Sequence, residues 1–486
     1  MDCKKLNKHE LTDLGLKLGL SKLEIKTTKN LCDKIQKIYN KKYPCNNIIN
    51  KETQLKIKKH QINIANELIH SRGVVVFHKV GTGKTLSAII TSRCLLANKI
   101  IKKIIVITPT SLQENFKKEL LKYNENIDMN DYIFYTIQGI TNAIKNKTVE
   151  SCKDCLVMID EAHNLRTLDS VRYKEIYKYC LKAKKILLLS ATPLINSKYD
   201  IINLVSLIRG EEQITEDEFD KIEKNKTLLK KYLDGIFNVY LKSNEKHYPN
   251  KKIIEIFMVM SDKYLEDYNK IERGEVNKIP VFKDKNVAVF YNGVRRASNV
   301  LDKKSPKFEW IKDKILDNPK SKFVIFSHFL TMGLKPIMKE LDDNNIKYSY
   351  ITGDISMNER KNSVNLYNSN EVKILFISKS GAEGLDLKGT NYIIIIEPSW
   401  NENEVEQIIG RGVRYKSHEN FKNKSVTVYR LYLIKPIEEQ HLKEITDELL
   451  LDYNDEKLSV DLYLRNYSLL KQREIESFYD TIIKMQ

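Results

Sequence analysis

Short apolar runs alternate with longer amphipathic stretches in two parts of the chain, about residues 51–210 and 305–435. Apolar runs of this length are typical of strands buried on both faces of a parallel sheet, and their interleaving with helical patterns indicates βαβ units. The pattern therefore predicts an α/β protein with two parallel-sheet units in tandem. The runs lie at 74–77, 104–107, 156–159 and 186–189 in the first unit and at 323–326, 374–377, 393–396 and, with one threonine, 426–429 in the second.

Three other parts of the chain lack this rhythm. Residues 1–50 are rich in lysine and carry leucines at helical spacing, which predicts a small basic N-terminal helical extension. Residues 211–304 are more polar, and we interpret them as a connecting helical region. Residues 436–486 begin with a proline and continue as an acidic tail, in which apolar residues at helical spacing predict a helix packed on the body.

The composition of the 486 residues is that of a globular protein of two or three domains, with 42% hydrophobic and 30% charged residues. No apolar run approaches the ~18 residues that a spanning helix needs, and the polar N-terminus does not resemble a secretory signal. Seven cysteines, an odd number, argue against a disulfide framework and favour a reducing interior compartment. We therefore expect an intracellular protein that does not associate with membranes.

The net charge of +18 is unevenly distributed along the chain. Residues 437–486 carry 12 acidic and 6 basic side chains, a net of −6, so the other residues carry +24. One explanation is the lysine-rich composition that an AT-rich coding genome produces, since only 14 of the 82 basic residues are arginine. The other explanation is that the basic body binds a polyanion such as nucleic acid.

A glycine-containing loop follows the first apolar run and precedes a helical pattern. Gly81, Thr82, Gly83, Lys84 and Thr85 form its core, and in such a loop successive backbone N–H groups and the helix N-terminus bind anions. The lysine can reach the β- and γ-phosphates of a nucleoside triphosphate, and the Thr85 hydroxyl can bind Mg²⁺. His78 stands where the P-loop pattern has its first glycine.

An acidic pair completes the predicted phosphate site. Asp160 and Glu161 follow the buried run 156–159, at the strand end where α/β sheets bind ligands. We expect Asp160 to hold Mg²⁺, directly or through water, and Glu161 to orient and polarise the attacking water.

The sequence resembles the DEAH-box helicases and translocases of superfamily 2, because Asp160-Glu161-Ala162-His163 is one of several family motifs in the family's order. The resemblance covers about residues 51–435 and implies two tandem RecA-like domains, ATP with Mg²⁺ as cofactors, and DNA or RNA as partner. The other motifs are His60-Gln61, Thr108-Pro109-Thr110-Ser111-Leu112, Ser190-Ala191-Thr192-Pro193, Phe326-Ser327-His328, Gly381-Ala382-Glu383-Gly384-Leu385-Asp386 and Gln407-Ile408-Ile409-Gly410-Arg411-Gly412-Val413-Arg414.

The resemblance also implies residue roles. Gln61 corresponds to the glutamine that reads adenine. Gly384 and Asp386 belong to a motif that the resemblance makes cofactor-binding, here called the nucleotide-responsive motif. Gln407, Arg411 and Arg414 lie in the arginine-finger motif, so the resemblance makes them catalytic together with Glu161. Thr108, Thr110, Lys379 and Ser380 are candidate contacts to nucleic-acid phosphates.

Four segments suggest a narrower resemblance. Ser190-Ala191-Thr192-Pro193-Leu194-Ile195-Asn196 and Glu397-Pro398-Ser399-Trp400-Asn401 are similar to the Swi/Snf-type branch. Glu383-Gly384-Leu385-Asp386 and Gly410-Arg411-Gly412-Val413-Arg414-Tyr415-Lys416-Ser417-His418 are similar to poxvirus nucleoside triphosphatase I and the early transcription factor small subunit. Relatives of those proteins occur in large DNA viruses, which implies a role in viral transcription, a viral RNA polymerase complex as a potential partner, and a virion or cytoplasmic viral factory as location.

Two functions of different class stay open from the sequence. The first is an ATP-dependent helicase or translocase, expected as a monomer, that moves along DNA or RNA as its two domains close. The alternative is an ATP-hydrolysing transcription initiation or termination factor that acts only within a polymerase complex.

The remaining candidate residues are given structural or coupling roles. Cys152 and Cys155 form a CxxC without a second ligand pair, so we interpret them as structural. In its DEAH setting, His163 suggests a hydrogen bond that couples the domains. His247 and His328 lack a functional context in the sequence.

Overall fold

The computed structural model describes residues 7–27, 30–79, 81–165, 171–191, 194, 197–241, 247–273, 287–302, 304–381, 384–444 and 458–485. The chain forms two compact units, Met1–Ser243 with Ile482–Gln486 and Asn244–Thr481. The sequence predicts five segments, a finer division than these two units, and that finer division stays a prediction.

In the described part of the chain, four helices lie between residues 8 and 52, so the N-terminal extension is helical, as the sequence predicts. Asn7 and Glu10 form a capping box at the first of them, in which each side chain accepts a hydrogen bond from the other's backbone N–H. Leu20, Ile25 and Ile35 form a small apolar cluster among these helices. The helices are α1 (Lys8–Lys17), α2 (Lys22–Thr27), α3 (Leu31–Lys42) and α4 (Cys45–Glu52).

The first unit contains a sheet of six parallel strands in the order β3-β2-β4-β5-β1-β6, with β1 Gly73–His78, β2 Lys103–Ile107, β3 Tyr132–Tyr135, β4 Cys155–Asp160, β5 Lys185–Ser190 and β6 Phe237–Tyr240. The four apolar runs predicted as strands are its central strands, and their residues are almost completely buried. The helices are α5 (Lys59–His70), α6 (Lys84–Ala97), α7 (Thr110–Tyr123), α8 (Ile137–Lys145), α9 (Val171–Cys180), α10 (Asp200–Arg209), α11 (Glu216–Glu223) and α12 (Lys226–Leu233).

The cysteines are not all the reduced thiols that the sequence predicts. Cys45 of α4 forms a disulfide with Cys94 of α6, with a Cα–Cα distance of 5.3 Å. The two residues are 49 positions apart, so only the packing of α4 on α6 brings them together. Cys152, Cys155 and Cys180 are free and buried.

The second unit contains another sheet of six parallel strands in the order β7-β12-β11-β8-β10-β9, with β7 Asn250–Val259, β8 Phe323–Ser327, β9 Ser349–Ile351, β10 Ile374–Ser378, β11 Tyr392–Ile395 and β12 Ser425–Ile434. Successive residues of a strand enter two separate apolar clusters, one on each face. Both predicted sheets are therefore confirmed. The helices are α13 (Asp262–Glu272), α14 (Val287–Asn299), α15 (Pro306–Leu316), α16 (Lys335–Asp343), α17 (Met357–Asn368), α18 (Glu402–Gly412), α19 (Pro436–Glu444) and α20 (Val460–Met485).

Residues 211–304 contain strands as well as the predicted helices. β6 and β7 both lie in this stretch, and each is an edge strand of its sheet. β7 pairs with β12 over ten residues although it begins with Asn250 and two lysines. The later residues of β7 do carry a strand signal, the apolar run 256–259, so the interpretation of 211–304 as a connecting helical region missed this strand.

The C-terminal tail is helical, as predicted. Val460 and Leu464 of α20 pack with Met260, Tyr264 and Tyr268 in one apolar cluster of the second unit. Helix α20 therefore contributes to the hydrophobic core of the second unit. Among the described residues, no helix has both the length and the apolar character required to cross a membrane.

Candidate functional site

The predicted phosphate-site residues lie at the carboxyl ends of neighbouring strands in the first unit. β5 lies between β1 and β4, with Phe77 opposite Ser190 and Asp160 opposite Leu189. The loop after β1, the acidic pair after β4 and Ser190 therefore share one edge of the sheet. This is the edge where parallel α/β sheets bind ligands.

The glycine loop has the backbone conformation that the sequence predicts for anion binding. Gly81 and Gly83 have φ angles of 81° and 87°, in the left-handed region that favours glycine. Gly83 is the N-cap of α6, so Lys84 and Thr85 begin the helix. The Lys84 ammonium donates to the His78 carbonyl at 3.2 Å, and the Thr82 hydroxyl donates to the Lys79 carbonyl at 2.7 Å.

Gln61 of α5 contacts this loop directly. Its Nε2 donates to the Thr82 carbonyl at 3.3 Å, and its Oε1 accepts from the Lys58 N–H at 2.9 Å. A Cβ atom at Gly83 would lie 2.6 Å from that Nε2. The close approach of Gln61 to the loop therefore depends on glycine at position 83.

Aromatic and polar residues surround the same loop, and two of them, Asn238 and Tyr240, were not singled out in the sequence. The His60 ring stacks on Tyr240 at 3.7 Å between centroids, and its Nε2 lies 3.2 Å from the Thr82 carbonyl. His78 is completely buried and bonds through Nε2 to Asn238 Oδ1 at 2.8 Å. Tyr240 and Asn238 belong to β6, the strand that the sequence pattern did not reveal, so this contact could not be predicted.

Asp160 lies in surroundings that disfavour its charge. Burial, and after it the neighbouring Glu161, raises the pKa of Asp160 to about 7, while Lys84 opposes the shift. The Thr108 hydroxyl donates to Asp160 Oδ2 at 3.4 Å. Thr108 is completely buried, so it supports the acidic pair and is not available as the nucleic-acid contact that we expected.

Glu161 has a strained backbone and contacts the histidine of its own motif. Its φ angle is 52°, in the left-handed region, which is uncommon for a residue other than glycine. Its Oε2 lies 3.4 Å from His163 Nδ1, which is also 3.2 Å from the Ser190 hydroxyl. His163 thus connects the acidic pair with the motif after β5, of which residues 192, 193, 195 and 196 lie outside the described residues.

The residues of this edge fit a nucleoside triphosphate with a divalent cation. The loop presents backbone N–H groups and the start of a fourteen-residue helix, both of which bind phosphate. The raised pKa of Asp160 marks a carboxylate whose charge a nearby cation would stabilise. Thr85 and Asp160 are the oxygen donors that this chain offers to Mg²⁺, which prefers one or two protein ligands together with phosphate oxygens.

In the second unit, the segment resembling the nucleotide-responsive motif contacts the arginine-finger segment. Arg414 donates through Nη1 to the Leu385 carbonyl at 2.9 Å and lies 3.7 Å from Asp386 Oδ1. Gly384 has a φ angle of 71°. Ala382 and Glu383 lie outside the described residues.

Gln407 and Arg411 lie on one face of α18. They are four residues apart and both are partly exposed, whereas Val405, Ile408 and Ile409 of the same helix enter the apolar core. In the second unit the structure thus places Asp386 near Arg414, with Gln407 and Arg411 on the helix just before Arg414; in the first it places the glycine loop, Gln61, Asp160 and Glu161 at one sheet edge.

His328, which lacked a context in the sequence, lies between two carboxylates. Its Nδ1 is 3.0 Å from Glu397 Oε1 and its Nε2 is 3.1 Å from Glu404 Oε2. Although burial alone would lower it, hydrogen bonds to Glu397 and Glu404 raise the pKa of His328. The partners are 69 and 76 positions away, and no local pattern signals such a contact.

The other candidate nucleic-acid contacts differ in exposure. Thr110 begins α7 and is exposed, and Lys379 follows β10 with its side chain 67% exposed. The Ser380 side chain lies outside the described residues. The CxxC cysteines are buried, with Cys152 Sγ donating to the Tyr179 carbonyl, and within the described ranges no cluster of three or more metal-ligating side chains is found.

Three protein families match parts of the chain. The type III restriction enzyme res subunit family matches residues 54–195, the SNF2-related domain matches 136–303, and the helicase conserved C-terminal domain matches 306–416. Together these matches cover both units, in the order that the motifs predict.

Individual relatives cover most of the chain. A protein of Acanthamoeba polyphaga mimivirus, named as a candidate ATP-dependent RNA helicase (L538), is 30% identical over 453 residues, 87% of this chain and 98% of the relative. Nucleoside triphosphatase I of Choristoneura fumiferana entomopoxvirus is 23% identical over 84% of this chain and 75% of its own. The Sulfolobus solfataricus SWI2/SNF2 ATPase core in complex with double-stranded DNA is similar at a TM-score of 0.37, with 19% identity over 88% of this chain and 97% of that chain.

The mimivirus relative is similar over nearly the full length of both chains, and the family matches and motifs agree with it. The chain therefore belongs to superfamily 2 of the helicases and translocases, the nucleic-acid-dependent ATPases.

Proposed function

We propose that this protein couples ATP hydrolysis to closure of its two RecA-like units and so moves along, or unwinds, DNA or RNA, most directly in viral transcription. The observation that carries the proposal is the convergence of the Lys84 loop and the Asp160–Glu161 pair at one sheet edge. Family membership supports the use of ATP, and the viral relatives support a viral setting.

In this proposal, each predicted site residue of the first unit has a role. The loop N–H groups and Lys84 bind the phosphates, and Gln61 contacts the adenine. Thr85 and Asp160 hold Mg²⁺, which when bound neutralises charge on the phosphate oxygens. Glu161 accepts a proton from the attacking water, and its contact with His163 orients the carboxylate.

The second unit supplies the guanidinium groups. Arg411 and Arg414 stabilise the charge that develops on the γ-phosphate, and Gln407 orders the water. A finger of this kind contributes about 10³–10⁵ in turnover. Because these residues and the phosphate loop belong to different units, hydrolysis requires closure, and closure shifts one nucleic-acid footprint relative to the other.

Similarity to nucleoside triphosphatase I supports a second candidate function, an ATP-hydrolysing transcription initiation or termination factor within a viral polymerase complex. In that case strand separation on a bare substrate is not expected. Under either candidate we infer an intracellular monomer that works in a virion or a cytoplasmic viral factory.

The test is the ATPase rate of the purified protein against a panel of single- and double-stranded DNA and RNA at low salt. A rate that rises with at least one nucleic acid, and falls again in the Lys84→Ala variant, supports the proposal. A rate indifferent to every nucleic acid would overturn it. Strand or triplex displacement without polymerase then separates the motor from the transcription factor.

A further inference from the structure

Glu404 connects the loop after β10 with the helix that carries Gln407 and Arg411. Its Oε1 accepts from Lys379 Nζ at 2.8 Å, and its Oε2 lies 3.1 Å from His328 Nε2. The Ser399 hydroxyl donates to the same Oε2 at 2.6 Å. One carboxylate in the first turn of α18 therefore joins three segments of the second unit.

Gln407 and Arg411 follow Glu404 by three and seven residues. Positions at this spacing lie on the same face of an α-helix, one above the other. The side of α18 that carries Val405 and Ile409 is fixed in the apolar core. A change in what holds Glu404 therefore acts on the helix face that carries the two predicted catalytic residues.

At the buried end of this network, several hydrogen bonds hold the Glu397 carboxylate. Glu397 is completely buried and accepts bonds from the His328 backbone N–H at 2.6 Å, from His328 Nδ1 and from the Ser327 hydroxyl. Asn299 Nδ2 donates to its other oxygen at 2.8 Å. His328 is thus held from one side by Glu397 and presents Nε2 to Glu404.

The outer end of the network is accessible. Lys379 is the member with a mostly exposed side chain, and an ion pair at the surface contributes little stability because water and salt screen it. A nucleic-acid phosphate can therefore take the ammonium from Glu404 at small cost. Burial disfavours the Glu404 charge, but His328 and then Lys379 hold the pKa of Glu404 well below its usual range.

We propose that Glu404 is a positioning residue that couples nucleic-acid binding to ATP hydrolysis: a nucleic-acid phosphate withdraws Lys379 from Glu404, and the altered hold on Glu404 re-positions Gln407 and Arg411. This inference rests on the proposed function and deepens it. Coupling between two ligands is a free energy and is reciprocal. A non-hydrolysable ATP analogue must therefore change the affinity for nucleic acid by the same factor by which nucleic acid changes the affinity for the analogue.

The test compares the parent with Glu404→Gln and Lys379→Gln. For each protein, the Kd of a fluorescent oligonucleotide, of the class that stimulates the parent most, is measured with and without the ATP analogue. The ratio of ATPase rate at saturating oligonucleotide to basal rate is measured as well. Melting temperatures show whether each variant is folded, and Lys379→Gln changes a surface side chain, so the test does not depend on Glu404→Gln alone.

Glu404→Gln is expected to bind the oligonucleotide at least as tightly as the parent, because Lys379 is released for the phosphate. Its Kd ratio should move towards one by about tenfold, within the range of ordinary coupling energies, and its stimulation should fall as well. Lys379→Gln should lose the same stimulation at saturation and, in addition, one phosphate contact, seen as a salt slope smaller by about 0.7–0.9. The double variant should lose no more coupling than either single one.

Glu406→Gln is the matched control. Glu406 lies on the same helix and pairs with Lys251 of β7 at 3.0 Å, away from the loop after β10. This variant should keep the parent's Kd ratio and stimulation. The inference is overturned if Glu404→Gln and Lys379→Gln keep both quantities, in which case Lys379 is only a phosphate contact and the proposed function stands. A parent that no nucleic acid stimulates overturns the inference together with the proposed function.

Discussion

Lys307 Nζ lies 2.6 Å from Asp461 Oδ2, and both side chains are completely buried. The pair joins α15 to the start of α20. Asp461 also accepts from the Ser298 hydroxyl and the Leu433 backbone N–H, both at 2.9 Å. The acidic C-terminal tail is therefore tied to the second unit by a buried charge as well as by apolar packing.

We expect Lys307→Met to lower the free energy of unfolding by about 3–5 kcal/mol, because it leaves the Asp461 carboxylate buried without its cation. Urea denaturation followed by circular dichroism measures the change. Lys416→Met removes a lysine from the exposed pair with Glu419 and should change stability by no more than about 1 kcal/mol. Equal effects of the two substitutions would show that the buried pair contributes no more than a surface pair.

The parts of the fold that the sequence predicted are those with a strong local signal. Continuous apolar runs are found in strands that have neighbours on both sides, such as β1 and β4. Because both faces of these strands are buried, successive positions carry apolar side chains. β6 is a short edge strand, Phe237–Tyr240, that Asn238 interrupts, whereas β7 does carry an apolar run, 256–259, which the interpretation of 211–304 as helical overlooked. The disulfide between Cys45 and Cys94 depends on helix packing, which no spacing along the chain records.

The residues of the candidate site likewise differ in whether a local pattern predicts their position. Lys84, Asp160 and Glu161 follow strands directly, so a motif places them at the sheet edge. The contact of Gln61 with Thr82 could be expected only through family resemblance. The position of His328 between Glu397 and Glu404 depends on three chain segments meeting in space, and a single histidine in a sequence carries no sign of it.

Gly83→Ala is expected to abolish tight ATP binding. The substitution puts a side chain at a φ angle of 87° and a Cβ atom 2.6 Å from Gln61 Nε2, so either the loop or Gln61 must move. Titration of a fluorescent ATP analogue measures the loss. Gly235→Ala is the control, because Gly235 has a φ angle of 67° but no atom within 4 Å of an added Cβ.

Both glycine variants carry the cost of a left-handed backbone, roughly 1–2 kcal/mol of stability. Only Gly83→Ala should lose nucleotide affinity. If the two variants bound the analogue equally well, the close packing of Gln61 on the loop would be irrelevant to the nucleotide.

Glu161→Gln should retain ATP binding and lose about 10²–10⁴ in turnover, because an amide keeps the shape of the side chain but does not accept the proton of the attacking water. Single-turnover hydrolysis and analogue binding, measured on the same protein, separate the two quantities. Glu150→Gln, a substitution of an exposed glutamate in the same unit, should leave both unchanged. Turnover at the parent rate would show that another residue activates the water.

His78 gives the first unit a dependence on pH. The residue is completely buried, and burial lowers its pKa to about 4, with the hydrogen bond to Asn238 opposing the shift only in part. Nε2 donates to Asn238 Oδ1, and among the described residues Nδ1 has no hydrogen-bond partner, as fits a neutral ring. In the unfolded chain the ordinary value of about 6.5 applies.

Between these two values the unfolded state binds the proton and the folded state does not, so stability falls as the pH decreases from about 6.5 towards 4. At pH 5 the loss from His78 is about 2 kcal/mol relative to neutral pH. His78→Gln should remove this part of the pH dependence, measured as the difference in unfolding free energy between pH 7 and pH 5. His70→Gln, at an exposed position of α5 in the same unit, should leave the difference as in the parent. If His78→Gln lost as much stability on acidification as the parent, the buried ring would not be the group that resists protonation.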